Sequence, residues 1–196
     1  GEPFIFPKFY EWMDYMKEQG VFVAIYTNAE LMDVDRILKY DNIFHINCSL
    51  NAVTKETYDK IMRGPKFDRV MKNATDLMNR KPEHMTLTMG FVVSPDSSHE
   101  KREFQKKWGK YANLLPYADW TGARPEPWKK EKVRRHCRRV FNKITVLWDG
   151  RVNLCCMDYD GKLIFGDLNK ENLWDIEKKK DWIKEKHKQN IFDMIP

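Results

Sequence analysis

The sequence predicts an α/β fold: a parallel sheet covered by helices, then a small α+β region built from a hairpin and helix. Three observations predict it. Apolar runs of strand length alternate with helical periodicities through most of the chain, as in parallel sheets. An Asp149-Gly150 pair later separates two strand-like runs, the signature of an antiparallel hairpin. The last part is a charged amphipathic stretch of helical period.

The elements follow in order. "PKFYEWMDYMKEQG" (Pro7–Gly20) places Phe9, Trp12, Met13 and Met16 at helical spacing. Pro7 suits a first turn and Gly20 a C-terminal cap. "VFVAIY" (Val21–Tyr26) is continuously apolar, as buried parallel strands are. "AELMDVDRILKY" reads as a short helix and "NIFHINCSL" (Asn42–Leu50) as the next strand. "TKETYDKIMR" starts a helix with Thr54 as N-cap and Glu56 in its first turn. Beyond Gly64-Pro65, the series Phe67, Val70, Met71, Ala74, Leu77 and Met78 marks another helix. "MTLTMGFVV" (Met85–Val93) is a third strand, and "SSHEKREFQKKWGKYANLL" reads as one long helix. Crossovers in such sheets are right-handed, so the chain winds into an open sheet or a barrel. Sites in these folds lie at the C-terminal strand ends, here Thr27-Asn28, Ser49–Asn51 and Val93–Pro95.

After about Asp119 the pattern changes. "TGARPEPWKKEKVRRH" reads as a linker or loop. "KITVLW" and "RVNLCC" form the hairpin, with Ile144 expected opposite Cys155 across a two-residue turn. "GKLIFGDL" adds a strand, and "ENLWDIEKKKDWIKEKHKQ" one closing helix. The expected domains are residues 1–125 and 126–196.

Composition excludes several classes. Hydrophobic residues are 42% and charged residues 33% of the 196, which is globular rather than disordered. No apolar run approaches the ~20 residues of a membrane helix, and no basic-then-apolar signal peptide opens the chain. A cytoplasmic protein without membrane contact is expected, although Gly1 is not an initiating residue. The net charge of +6 comes from basic residues spread along the chain. Local clusters at Trp128–Arg139 and Glu177–Lys188 do not form a nucleic-acid module. Four cysteines in this length do not make a secreted disulfide framework.

Taken singly, the candidate functional residues have ordinary structural roles. Gly1-Glu2-Pro3 can be a turn, Thr27-Asn28 a helix cap, Cys48 a small core residue and Arg63 a helix-terminal cation. Their order and spacing together resemble the radical S-adenosylmethionine (radical SAM) enzymes, in the branch with a C-terminal SPASM or twitch domain. The motifs are "GEP" at the start, "GVFVAIYTNAELM", "CSLNAVTKETYDKIMRG", and Cys137 followed by twelve residues, Gly150, four residues and Cys155. The resemblance implies a partial (β/α)6-type parallel barrel and a SPASM/twitch-like hairpin-and-helix domain. It implies that Gly1, Glu2 and Pro3 meet the methionyl amino group of S-adenosylmethionine. Ser49 would lie near its ribose or methionyl part, and Arg63 would pair with its carboxylate, a bidentate task suited to guanidinium. Asn28 and Asn51 would line the cavity, with backbone at Phe91–Val93 near the adenine. Cys137 and Cys155 would ligate an auxiliary iron–sulfur cluster. Only one of the adjacent Cys155 and Cys156 could face such a cluster from a strand, which leaves Cys156 as an expected buried thiol.

The same resemblance implies the activity: reductive cleavage of S-adenosylmethionine at a 4Fe-4S cluster, giving a 5′-deoxyadenosyl radical that abstracts hydrogen. The substrate would be a peptide, protein or small molecule, and the reductant a flavodoxin or ferredoxin. The family's Cys-x-x-x-Cys-x-x-Cys loop is not in these residues, nor are the later auxiliary-cluster cysteines. The chain is therefore expected to be the interior of a longer enzyme, inactive by itself. The rival readings are a zinc module, poorly served by two cysteines without a second pair, and a non-catalytic α/β scaffold.

Overall fold

The computed structural model describes residues 1–117, 138–189 and 191. The chain divides into two compact units, Gly1–Tyr117 and Ala118–Pro196.

The first unit is a four-stranded, all-parallel sheet whose strands lie side by side in chain order. Helix α1 (Phe9–Glu18) closes where Gly20 takes φ +66° and the Val21 N–H reaches back to the Met16 carbonyl, so glycine supplies the left-handed cap. β1 (Val23–Thr27), α2 (Val34–Ile37), β2 (Ile43–Ser49), α3 (Lys55–Ile61), α4 (Phe67–Arg80), β3 (Thr86–Val93) and α5 (Lys101–Trp108) follow. Thr54 caps α3 by accepting from the Thr57 N–H. The α/β expectation is met.

One expectation is corrected. The long helix ends at Trp108, because Gly109 at φ +51° leaves helical space. "ANLLP" is instead β4 (Ala112–Pro116), paired with β3 through Met89↔Ala112 and Val93↔Pro116. Phe104 and Trp108 keep the helical face that buries them. The residues beyond Gly109 are captured by sheet pairing, which local periodicity does not report.

The sheet is two-faced. Ile25, Ile46, Cys48, Leu87, Met89 and Phe91 point into a core shared with Met13, Ile37, Tyr58, Leu77 and Phe104 from the helices. The alternate row carries Tyr26, His45, Asn47, Ser49, Thr86, Thr88 and Gly90, and none of these enters that core. A parallel sheet with one such polar face gathers its polar side chains on the side away from the helices.

In the second unit α6 (Arg139–Asn142) precedes a three-stranded antiparallel sheet of β5 (Thr145–Val146), β6 (Arg151–Asn153) and β7 (Ile164–Asp167). α7 (Leu173–Lys178) and α8 (Asp181–Lys188) replace the single closing helix expected from the sequence. Lys180 lies between them, buried and paired with Glu177 at 2.5 Å. The break lets Ile176 and Ile183 both reach the small core of Val140, Val152, Leu154 and Phe165. The hairpin register also differs from expectation: Thr145 faces Asn153 and Val146 faces Val152, one residue from the predicted pairing. The Leu147 N–H bonds to Arg151, so Trp148, Asp149 and Gly150 form a three-residue loop with Gly150 at φ +90°. A one-residue slip exchanges the two faces of a strand. The linker 121–136 lies outside the described residues.

Candidate functional site

At the C-terminal end of β1, Glu2 holds the chain start in place. Its carboxylate accepts from the Phe4 N–H at 3.3 Å, from Thr27 Oγ1 at 2.7 Å and from the Asn28 N–H at 2.7 Å. Thr27 Oγ1 accepts in turn from the Ala29 N–H, and Asn28 Oδ1 from the Glu30 N–H, each at 2.8 Å. Ala29 sits buried at φ +67°, a conformation that costs a non-glycine residue energy and persists only where neighbours enforce it. Gly1, Glu2 and Pro3 line a groove of about 380 Å³ with Val23–Tyr26 of β1.

At the end of β2, Asn51 takes φ +59°, which asparagine tolerates better than most residues. The Leu50 and Asn51 N–H groups donate to the Gly90 carbonyl at 3.0 and 3.1 Å. Asn51 Oδ1 accepts from the Val92 N–H at 2.9 Å, and its Nδ2 donates to Met62 Sδ at 3.3 Å. Ser49 pairs with Gly90 across the sheet and accepts from Asn47 Nδ2 at 3.1 Å. Val92 gives its N–H to Asn51, and its carbonyl accepts from Ser97 Oγ and the Ser94 N–H. Val92 therefore has no free backbone donor for an adenine, which restricts the expected Phe91–Val93 contact.

Arg63 lies two residues beyond α3 rather than at its end. It is exposed and has no hydrogen bond or ion pair among the described residues. Its neighbour Met62 is the residue that Asn51 contacts. A chain of contacts thus joins Glu2, Asn28, Ser49 and Asn51 through Thr27, Cys48 and Gly90, with Arg63 one residue away.

Beneath this rim, Glu100 caps α3 from a distant segment. Its side chain is 4% exposed and accepts from the Val53 and Thr54 N–H groups and the Thr54 hydroxyl. Burial by itself would raise this carboxyl, but the Thr54 and Val53 hydrogen bonds prevail and hold it below its usual range. Cys48 is buried in the core; burial, and secondarily the charge of Glu2, push its thiol up to about 12. Its burial among the strand and helix side chains makes it the small core residue the sequence allows.

Motif matching did not find the row on the sheet's polar face. His45 Nδ1 lies 2.8 Å from Thr86 Oγ1, and Nε2 lies 3.4 Å from Thr88 Oγ1. Thr88 Oγ1 donates to Asn47 Oδ1 at 2.8 Å. Polar residues at period two within apolar strands were the available signal.

In the second unit, Cys155 and Cys156 lie in the turn after β6, not on the strand. Cys155 is half-buried and packs on the small core; Cys156 is exposed and accepts from Arg139 Nη1 at 3.4 Å. Cys156 is therefore not the buried thiol expected, because the strand ends before alternation can apply. Cys137 lies outside the described residues. Among the described residues no three His, Cys, Asp or Glu side chains gather to hold a metal.

The groups present have the chemistry an S-adenosylmethionine site would need: a guanidinium beyond α3 that is unengaged among the described residues, and, at the strand ends, a serine that donates to no described residue and a preset carboxylate. The described residues do not supply the ligands of a four-iron cluster. Among the described residues no helix is long and apolar enough to cross a membrane.

Fold and site together define an α/β protein with a parallel sheet, consistent with part of a (β/α) barrel, whose candidate site residues meet at the C-terminal strand ends. Comparison gives the particular family. A model of the radical SAM superfamily matches residues 1–104, and one of the SPASM iron–sulfur cluster-binding domain matches residues 137–193. The chain belongs to the radical SAM superfamily and carries a SPASM domain. No curated protein gives a significant match. Among solved structures, it is similar to hexahistidine-tagged anSMEcpe with bound AdoMet at 14% identity and TM-score 0.64, covering 94% of this chain and 64% of that one. Native anSMEcpe with bound AdoMet gives 14% and 0.64, covering 94% and 66%. Native anSMEcpe with AdoMet and the Kp18Cys peptide gives 14% and 0.61, covering 94% and 67%. The likeness is one of fold, and the chain spans 64% of the first structure's length.

Proposed function

We propose that this chain is the S-adenosylmethionine-holding part of a radical SAM/SPASM enzyme acting on a peptide, protein or small molecule. The observation that carries the proposal is the coupling of Glu2, Asn28, Ser49 and Asn51 at adjoining strand ends, with Arg63 unengaged beside them. S-adenosylmethionine, reduced at a four-iron cluster, supplies hydrogen-abstracting radical chemistry that the protein positions and shields.

Gly1, Glu2 and Pro3 would meet the methionyl amino group, with Glu2 oriented by Thr27 and Asn28. Arg63 would take the methionyl carboxylate, and Ser49 the carboxylate or ribose edge. Asn28 and Asn51 would close the sides of the cavity. Cys155, half-buried in its turn, would contribute one thiolate to an auxiliary cluster, with Cys137 as its expected companion. A flavodoxin or ferredoxin would serve as reductant.

The test is the parent reading frame expressed and reconstituted anaerobically. The proposal expects an upstream Cys-x-x-x-Cys-x-x-Cys loop, visible iron–sulfur absorption and reductant-dependent 5′-deoxyadenosine. A frame without that loop, or a colourless zinc protein, overturns it.

A further inference from the structure

The polar face of the sheet carries one continuous hydrogen-bonded row, and the bonding rules of its members limit how it can be wired. Thr86 Oγ1 donates to the Phe44 carbonyl at 3.0 Å, so toward His45 Nδ1 it can only accept. While Thr86 keeps that bond, Nδ1 carries a proton in either charge state of the ring. Thr88 has a single hydroxyl proton and two candidate acceptors, His45 Nε2 at 3.4 Å and Asn47 Oδ1 at 2.8 Å.

With the Thr86–Phe44 bond kept, two wirings satisfy every member. With His45 protonated, Nε2 donates to Thr88, Thr88 to Asn47 Oδ1, and Asn47 Nδ2 to Ser49, whose own proton is left for a ligand. With His45 neutral, Thr88 donates to Nε2, the Asn47 amide turns over to donate to Thr88, and Ser49 donates to Asn47. Ser49 then presents lone pairs only. The Asn47 orientation in the structure is the first of these. Gly90 makes room for it: a Cβ there would lie 3.2 Å from Asn47 Oδ1 and 3.3 Å from Nδ2.

We infer that His45, Thr88 and Asn47 form a relay that sets whether Ser49 offers a ligand a proton or only an acceptor, making His45 a positioning residue for the S-adenosylmethionine carboxylate. The ligand identity rests on the function proposed above; the relay does not. Tyr26 of β1 faces the imidazole with ring centroids 6.0 Å apart, and Thr86 and Thr88 face it from β3. No charged side chain is among these contacts. Burial pushes the imidazole below its ordinary 6.5, so the change of wiring falls on the acid side of neutrality.

The experiment follows the ring and side-chain amide ¹⁵N resonances of His45 and Asn47 in the 196-residue chain from acid to neutral pH. The Asn47 amide should titrate with the midpoint of His45 in the wild type and in Thr88→Ser, and stay constant in Thr88→Val. An Asn47 amide indifferent to His45, or one that still follows it in Thr88→Val, overturns the relay. In parallel, in the anaerobically reconstituted parent protein, S-adenosylmethionine affinity by equilibrium dialysis should be about two- to tenfold tighter below the His45 midpoint, the worth of one hydrogen bond. That dependence should vanish in Thr88→Val and persist in Thr88→Ser. Binding without it overturns the positioning role. No binding at any pH overturns the functional proposal, while the resonances still judge the relay.

Discussion

The carboxylate of Glu2 and the hydroxyl of Thr27 meet at 2.7 Å across a separation of 25 residues. Through this contact the first residues of the chain and the end of β1 become one rigid rim, with the Asn28 N–H as the second anchor.

Replacing Glu2 with Gln keeps the shape but removes charge and converts one acceptor oxygen to a donor. We expect a loss of about 1–2 kcal/mol of stability in urea unfolding, since hydrogen bonds to a charged group exceed neutral ones. Amide exchange at Asn28 should quicken. Unchanged exchange there would refute the anchoring role.

Arg63 is exposed and unpartnered among the described residues, so Arg63→Ala should leave stability within about 0.5 kcal/mol. S-adenosylmethionine affinity should fall at least about tenfold, and Arg63→Lys should recover only part because ammonium cannot bind bidentately. Dialysis binding measures both; a full-affinity alanine variant removes Arg63 from the site.

Glu100 gives a pH prediction. Its folded-state carboxyl lies below its ordinary 4.5, so its contribution is fully present above that value. The contribution is lost as pH falls from there through the lower folded value. Acid unfolding of the first unit should therefore be steeper in the wild type than in Glu100→Gln, whose stability should be lower at neutral pH. Parallel acid curves for the two would contradict this.

Gly166 packs under α7. A Cβ there would sit 2.6 Å from Ile176 Cγ1 and 2.9 Å from Glu171 Oε1. Gly166→Ala should destabilise the second unit by about 1–3 kcal/mol, and it should cost less in an Ile176→Ala background, where the clashing Cγ1 is gone. Thermal unfolding of both variants gives the answer.

Cysteine alkylation should follow exposure and thiolate access. Among the described cysteines, Cys156 should react fastest, Cys155 more slowly, and Cys48 only after unfolding. Mass-resolved labelling with iodoacetamide tests the order, and rapid labelling of Cys48 in the folded chain would contradict its burial.

Much of the architecture was legible because local physics and fold agreed. The apolar runs of β1, β2 and β3, the Gly20 cap and the Thr54 cap all report interactions made within a few residues. Where pairing partners are distant, the reading failed. "ANLLP" has helical neighbours but is strand because β3 offers it a free edge. The hairpin register slipped by one residue because the loop takes three residues with Gly150 left-handed, which Asp-Gly alone does not specify.

The site divides the same way. Residue type and spacing singled out Gly1, Glu2, Pro3, Asn28, Ser49, Asn51, Arg63, Cys137 and Cys155, and identified the family, because motif order is a one-dimensional property. The sequence could not say that Glu2 is bound to Thr27, that Val92 is capped by Asn51, or that Cys156 is exposed. Nor could it join His45, Thr88, Asn47 and Ser49 into one row. Those relationships arise where strands far apart in sequence align in register, and only the folded sheet brings their donors and acceptors within bonding distance.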